Sequence, residues 1–78
     1  MESDDLRPIL ATNLRRLRES KGISQEELAS RAGLHRTYVG AVERAERNIT
    51  LATLQRLADA LEVDPVSLLV PLTGAVEK

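Results

Sequence analysis

The sequence lacks several residue types that particular chemistries require. Its 78 residues include no cysteine, no tryptophan and no phenylalanine. The missing cysteine excludes disulfide bonds, thiolate metal ligands and catalytic thiols, and it suits a reducing compartment. Tyr38 is the one aromatic residue, so a folded core must be built from aliphatic side chains.

Long apolar segments are absent as well. No run approaches the roughly 20 apolar residues that span a bilayer, and the acidic N terminus lacks the basic start of a signal peptide. We therefore expect a cytoplasmic protein with no membrane partner.

The residues that enzymes use for catalysis are scarce. His35 is the single histidine, and there is no glycine-rich phosphate loop. The neighbouring Glu26 and Glu27 would point to different faces of a helix, which favours solvent exposure over a catalytic pair. We expect no enzyme activity, no metal site, no cofactor and no small-molecule ligand. His35 is interpreted as a turn residue or an imperfect helix cap.

Composition and charge indicate a folded domain with a basic face. Hydrophobic residues make up 42% and charged residues 29% of the chain, and the abundance of Leu, Ala, Glu and Arg favours helices. The net charge is only -1, yet residues 6–22 contain five basic residues against one acid, and residues 36–56 contain four against two. Such a distribution is compatible with DNA binding. We expect one all-α domain spanning residues 1–78, with an ordered core of about residues 5–70.

Apolar periodicity and capping signals predict five helices. The first is indicated by leucines at intervals of four, four and three residues, namely Leu6, Leu10, Leu14 and Leu17. The fourth has an apolar inner stripe formed by Leu51, Leu54, Leu57, Ala58 and Leu61. Thr50 caps the fourth helix. Asp64 and Pro65 begin the fifth, which ends at about residues 69–70.

The second and third helices are short and are joined by a tight turn. Ser24 and Glu27 form a capping box that starts the second helix, and Gly33 ends it. Val39 and Val42 give the third helix an apolar inner face. Two short helices connected in this way predict a helix-turn-helix.

The spacing within this segment is similar to that of a known family. Counted from Gln25, the fifth, ninth, fifteenth and eighteenth residues are Ala29, Gly33, Val39 and Val42. This pattern resembles the lambda-repressor-like (Xre-type) DNA-binding domains. The segments 36–39, 42–44 and 47–50 further resemble the controller proteins of restriction-modification systems. The resemblance implies a compact five-helix domain whose helix-turn-helix is formed by helices 2 and 3.

Eight residues in and around the third helix are assigned to DNA contact: Gln25, Arg36, Thr37, Tyr38, Gly40, Arg44, Arg47 and Asn48. Arg36 and Thr37 lie in the first turn of the recognition helix, where an arginine can pair with guanine and a threonine methyl can meet a thymine methyl. The alternative is a solvated helix start. Tyr38 either packs at the domain edge or stacks towards DNA.

The remaining members of this set also have two interpretations. Gly40 costs about 1 kcal/mol in a helix relative to alanine, so it either permits close approach to DNA or is a neutral substitution. For Gln25, Arg44, Arg47 and Asn48 the resemblance implies phosphate or groove-edge contacts, with ordinary solvent exposure as the alternative. In the resembled family Ala45 is often replaced by glycine, which indicates an extended third helix or a strained turn.

Two further sets of residues are assigned structural roles. A dimer interface is predicted because the C-terminal apolar residues outnumber what a short helix can bury: Ile49, Val63, Val66, Leu69, Val70 and Leu72. The resemblance also implies an ion pair between Arg18 and Glu43 that links the first helix to the end of the third.

The sequence therefore predicts a sequence-specific regulator of transcription that binds double-stranded DNA. It would act as a homodimer on a palindromic operator in the nucleoid, with RNA polymerase as a candidate partner. If the controller resemblance holds, it would regulate its own promoter and a neighbouring restriction gene. The alternatives are a stand-alone phage-type repressor and an antitoxin-type module that binds a protein.

Overall fold

The computed structural model describes residues 5–71 and contains helices without strands in that range. The elements are α1 (Arg7–Ser20), α2 (Gln25–Ala32), α3 (Arg36–Glu43), α4 (Leu51–Leu61) and a final 3-10 helix (Pro65–Leu68). The all-α prediction is confirmed. The predicted fifth α-helix is instead a single 3-10 turn, so the described residues form four α-helices.

The helix boundaries follow from side-chain caps. The Ser24 hydroxyl accepts a hydrogen bond from the backbone N–H of Glu27 at 2.9 Å, and the Thr50 hydroxyl accepts one from Thr53 at 3.0 Å. Each bond satisfies a donor that a helix start leaves open. In a complete capping box the Glu27 carboxylate would accept a hydrogen bond from the backbone N–H of Ser24. It accepts one from the Nε of Arg31 at 2.8 Å instead, so the structure shows the serine half of the predicted capping box.

Gly33 ends α2 as the sequence predicts. Its φ is +70°, in the left-handed region, and the next residue, Leu34, donates its backbone N–H to the carbonyl of Ala29 at 2.9 Å. Glycine adopts this conformation without the clash that a Cβ would cause. The resulting turn directs the chain into α3.

The core is aliphatic, as the lack of aromatic residues requires. Five of its leucines are completely buried: Leu14, Leu28, Leu57, Leu61 and Leu68. Burying one such side chain stabilises the fold by about 1.5 to 3 kcal/mol. These contacts join α1, α2, α4 and the 3-10 helix into one core, and Val39 and Val42 attach α3 to it.

A buried asparagine binds the chain at the end of the last helix. The Asn13 amide is 1% exposed, and its Nδ2 donates to the backbone carbonyls of Leu68 at 3.0 Å and Val70 at 2.8 Å. Asp64 does cap the segment, because its Oδ1 accepts from the N–H of Val66 at 2.9 Å. The chain then turns so that its carbonyls reach α1 rather than continuing a helix.

Two leucines predicted to lie on inner faces are exposed. Leu6 precedes α1 and is 50% exposed, and Leu51 is the first residue of α4 and is 83% exposed. Both belong to the apolar pattern of their helix, but they lie at its N-terminal end, beyond the edge of the core, where solvent reaches them. Within residues 5–71, no helix is both long enough and apolar enough to cross a membrane.

Candidate nucleic-acid interface

The geometry of α2 and α3 is that of a helix-turn-helix. The two helices pack against each other, α2 also packs on α4, and α3 also packs on α1. Val39 and Val42 are buried on the inner side of α3. His35 precedes α3 in extended conformation, and its Nδ1 accepts from the N–H of Thr37 at 3.4 Å. This long bond is consistent with an imperfect cap.

The opposite side of α3 begins with exposed polar residues. Arg36 and Thr37 are both exposed, and Tyr38 is half-buried with its ring packed against the core. The Arg47 guanidinium lies 5.1 Å from the centroid of that ring, within cation–π distance. Thr37, Tyr38 and Arg47 border an open concavity of 480 Å³ together with Glu46.

Gly40 is buried beneath two polar side chains rather than facing outward. A Cβ at this position would lie 3.2 Å from Nη1 of Arg44 and 3.5 Å from Oε1 of Gln25. The absence of a side chain therefore gives these two groups room to lie flat on α3. Gln25 and Arg44, both assigned to DNA contact, are brought together at this point.

Arg18 and Glu43 form a buried bidentate ion pair. Arg18 Nε donates to one carboxylate oxygen at 2.7 Å and Nη2 to the other at 3.1 Å, and the two side chains are 12% and 3% exposed. Arg18 Nη1 also donates to the carbonyl of Ile23 at 2.9 Å. The Glu43 carboxylate raises the pKa of the Arg18 guanidinium, which therefore stays charged.

The same carboxylate also holds Gln25. Its Nε2 donates to Oε1 of Glu43 at 2.9 Å. Because a carboxylate accepts hydrogen bonds and cannot donate them, this contact fixes which end of the amide faces inward. Sequence reasoning treated Gln25 and the Arg18–Glu43 pair separately, since no pattern in the sequence links them.

The turn after α3 is strained. Ala45 has a φ of +63°, and its N–H donates to the Val42 carbonyl at 3.0 Å while the N–H of Glu46 donates to that of Ala41 at 3.0 Å. This is the glycine-type helix end formed with an alanine, so of the two alternatives the structure shows the strained turn. Arg47 and Asn48 follow in exposed positions.

Arg44 forms a second ion pair at this turn. Its Nε lies 3.2 Å from Oε2 of Glu46, and the two side chains are 59% and 56% exposed. The arrangement leaves Arg36 and Arg47 as the other basic groups of the surface. We call the exposed set Arg36, Thr37, Arg44 and Arg47 the α3 surface.

The residues predicted to form a dimer interface lie in two environments. Ile49, Val63 and Leu69 are half-buried against the core, whereas Val66 and Val70 are 63% and 42% exposed. Leu72 lies outside the described residues. A groove of 210 Å³ adjoins this region. Six apolar residues line it, namely Leu6, Leu10, Ile49, Leu51, Leu54 and Leu69, together with the polar residues Arg7, Arg47, Asn48 and Thr50. Sequence reasoning missed Leu6 and Leu51 as surface residues.

Comparison with known proteins gives the family. The helix-turn-helix family model HTH_3 matches residues 14–68. The control protein C.SmaI of Serratia marcescens is 54% identical over 65 residues, which cover 83% of this chain and 77% of its own length.

Among residues 5–71, no histidine and carboxylate side chains are grouped as a metal site requires.

Two solved structures have the same fold. The hypothetical transcription factor NHTF from Neisseria superposes with a TM-score of 0.90 at 47% identity, covering 97% of this chain and 85% of its own. The restriction-modification controller protein C.AhdI from Aeromonas hydrophila superposes with a TM-score of 0.78 at 47% identity, covering 80% and 94%. The chain therefore belongs to the HTH_3 (Xre-type) family of helix-turn-helix DNA-binding transcription regulators and is similar to restriction-modification controller proteins.

Proposed function

We propose that this regulator binds a palindromic operator as a homodimer through the α3 surface, and that it acts as an autoregulatory controller of a restriction-modification system. The observation that carries the proposal is the division of α3 into two faces. Val39 and Val42 are buried, while Arg36 and Thr37 are exposed in the first turn. That turn is the part of a recognition helix that reaches base edges.

Sequence would be read by Arg36 and Thr37. An exposed arginine at the helix start can donate two hydrogen bonds to guanine O6 and N7, and a threonine can contact a thymine methyl. Tyr38 would support this turn from the side, because its ring is held between the core and the Arg47 guanidinium.

Affinity would come from groups that flank the recognition helix. Gln25 lies at the start of α2, where the backbone N–H groups and the helix dipole favour a phosphate. Arg44, Arg47 and Asn48 lie at or beyond the end of α3, where the chain would leave the groove and cross the phosphate backbone. Gly40 would serve indirectly, by leaving room for Gln25 and Arg44.

The dimer would form through the apolar groove and the exposed residues beside it. Leu51, Val66 and Val70 are large apolar residues in contact with solvent, and a second copy would cover them. Burial against a partner would also offset the small core of a domain of this size. Leu51→Asp or Leu69→Asp should give a monomer in sedimentation at tens of micromolar. A monomeric unmodified protein under the same conditions would refute this part of the proposal.

The controller role rests on the relatives named as controller proteins of restriction-modification systems. Such a protein would regulate by occupying its operator, where it blocks RNA polymerase or contacts it. A stand-alone repressor would lack a neighbouring restriction gene. An antitoxin-type module would co-purify with a second protein, so purification from the native host distinguishes it.

The decisive experiment is selection of bound DNA from a random pool, which should return a palindromic consensus. Binding of Arg36→Ala and Arg47→Ala is then measured on that operator and on scrambled DNA over a salt series. Loss of a bidentate guanine contact should cost about 1 to 3 kcal/mol per half-site on the operator alone. Loss of a phosphate contact should weaken both DNAs alike and reduce the salt slope by about 0.9 per half-site.

These two variants act as controls for each other, because each removes one arginine from the same surface. If Arg36→Ala weakens both DNAs equally while Arg47→Ala changes base preference, the assignment of the recognition surface is wrong.

A further inference from the structure

We infer that Glu46 restrains DNA binding by holding Arg44 in an ion pair that a phosphate must displace. The inference rests on the proposed function, since it requires the α3 surface to face DNA. It assigns a role to an acidic residue in a place where a DNA-binding protein gains most from positive charge.

Glu46 is an exposed acidic residue among residues that are assigned to DNA contact. Residues 33–50 contain two acids, Glu43 and Glu46. The Glu43 carboxylate is 3% exposed and is neutralised by Arg18, so it does not act on a bound phosphate as a free charge. The Glu46 carboxylate is 56% exposed and borders the concavity formed with Thr37, Tyr38 and Arg47. It is therefore the one exposed carboxylate within this part of the described chain.

The contact with Arg44 keeps that arginine close to the protein. Its Nε is bound to Glu46 at 3.2 Å, and its Nη1 lies where a Cβ on Gly40 would be only 3.2 Å away. The guanidinium thus lies along α3 between Gly40 and Glu46. To reach a phosphate through the same edge, it must exchange a carboxylate for the phosphate oxygen.

The backbone holds Glu46 in place for this contact. The N–H of Glu46 donates to the Ala41 carbonyl at 3.0 Å, in the turn that Ala45 closes with a positive φ. This bond ties the Glu46 backbone to α3 two residues beyond Arg44, so the pair does not depend on a free loop. The restraint is consequently a property of the folded domain.

The expected effect is modest and independent of DNA sequence. An exposed arginine–glutamate pair is worth little because water and salt screen it. Removing the carboxylate should tighten binding by about 1.5- to fivefold for each protomer at ~0.1 M salt. Operator and scrambled DNA should gain by the same factor, since phosphates are common to both.

The test compares wild type, Glu46→Gln and Glu46→Ala on the selected operator and on scrambled DNA across a salt series. Both variants should bind both DNAs more tightly, with a salt slope steeper by up to about 0.9 per protomer. The gain should vanish towards ~1 M salt, where the Debye length falls to about 3 Å. Because the pair is exposed, thermal unfolding should change little at ~0.1 M salt and not at all near ~1 M.

Two controls separate the effect on Arg44 from a general change of charge. Glu19→Gln removes a carboxylate from another exposed pair, Arg15–Glu19 on α1 at 3.3 Å with side chains 65% and 56% exposed, and it should leave DNA affinity unchanged. In an Arg44→Ala background, most of the gain from Glu46→Gln should be lost, since the released arginine is missing.

The outcomes are distinct. Weaker operator binding with altered preference at one base pair would mean that Glu46 accepts a hydrogen bond from a base, such as the cytosine amino group, and would overturn the inference. Unchanged affinity in both variants, or an equal gain in the Arg44→Ala background, would also overturn it. If the wild type binds neither DNA, the proposed function itself fails.

Discussion

The two arginine–glutamate pairs at the end of α3 have the same chemistry in different surroundings. Arg18 and Glu43 meet at 2.7 Å with side chains 12% and 3% exposed, and Arg44 and Glu46 meet at 3.2 Å with side chains 59% and 56% exposed. The glutamates are three residues apart. Burial, rather than the identity of the charged groups, decides what each pair can do.

A buried charge that loses its partner keeps the cost of its desolvation, whereas an exposed charge regains water. The Arg18–Glu43 pair also has further bonds, to the Ile23 carbonyl and the Gln25 amide. It therefore fixes α1, α2 and α3 relative to one another. The exposed pair can open at little cost, which allows it to respond to a ligand.

The largest effect is expected from Glu43→Ala, which leaves the Arg18 guanidinium mostly buried without its carboxylate. We expect a loss towards the lower end of about 3 to 5 kcal/mol in the free energy of unfolding, because breaking a buried pair leaves a charge that only the exposed Glu19 carboxylate, 3.9 Å from Nη2, still compensates. Urea denaturation at neutral pH measures it. For a domain of this size, each 1 kcal/mol corresponds to about 4 to 8 °C in the melting temperature.

The matched variant Arg18→Met/Glu43→Leu separates the pair from its packing. Since both charges are removed together, it should recover much of the stability lost in Glu43→Ala. Equal destabilisation in the single and double variants would show that the volume of the side chains, not the unpaired charge, explains the loss.

The sequence predicts the buried half of this comparison better than the exposed half. Caps and apolar periodicity are local signals, so Ser24, Gly33 and Thr50 could be assigned to helix ends directly. The family resemblance also brings Arg18 and Glu43 into one hypothesis. Their burial depends on α1 packing against α3, which no local pattern specifies.

The predictions that fail depend on how each helix lies against the rest of the fold. Leu6 and Leu51 continue an apolar period, but periodicity does not tell where the core stops. The predicted fifth α-helix is a 3-10 turn whose last carbonyl, that of Leu68, is bound by the Asn13 amide 55 residues away in sequence, a contact that no local pattern specifies. Gly40, interpreted as permitting close approach to DNA or as a neutral substitution, is covered by the side chains of Arg44 and Gln25, whose orientation the sequence does not specify.

Ala45→Gly should have an intermediate effect and act on the turn that lies between the two pairs. Alanine at a φ of +63° carries the steric cost of the left-handed region, and glycine does not. We expect a gain of about 1 kcal/mol in the free energy of unfolding, measured by urea denaturation. Glu62, at a φ of +60° after α4, provides the comparison, because Glu62→Gly should give a similar gain without touching either ion pair.

Glu46→Ala should have the smallest effect on stability, and its salt dependence sharpens the comparison. An exposed pair contributes at most about 0.2 to 1 kcal/mol to the free energy of unfolding, and dissolved ions screen it. The loss of stability in Glu46→Ala should therefore be measurable at ~0.01 M salt and disappear near ~1 M. The loss in Glu43→Ala should persist across the same range, since buried pairs are screened far less. Thermal melts of both variants and the wild type at the two salt concentrations test this directly. If the Glu46→Ala loss is large or insensitive to salt, Arg44 and Glu46 form a structural pair like Arg18 and Glu43, and the pair could not open readily for a phosphate.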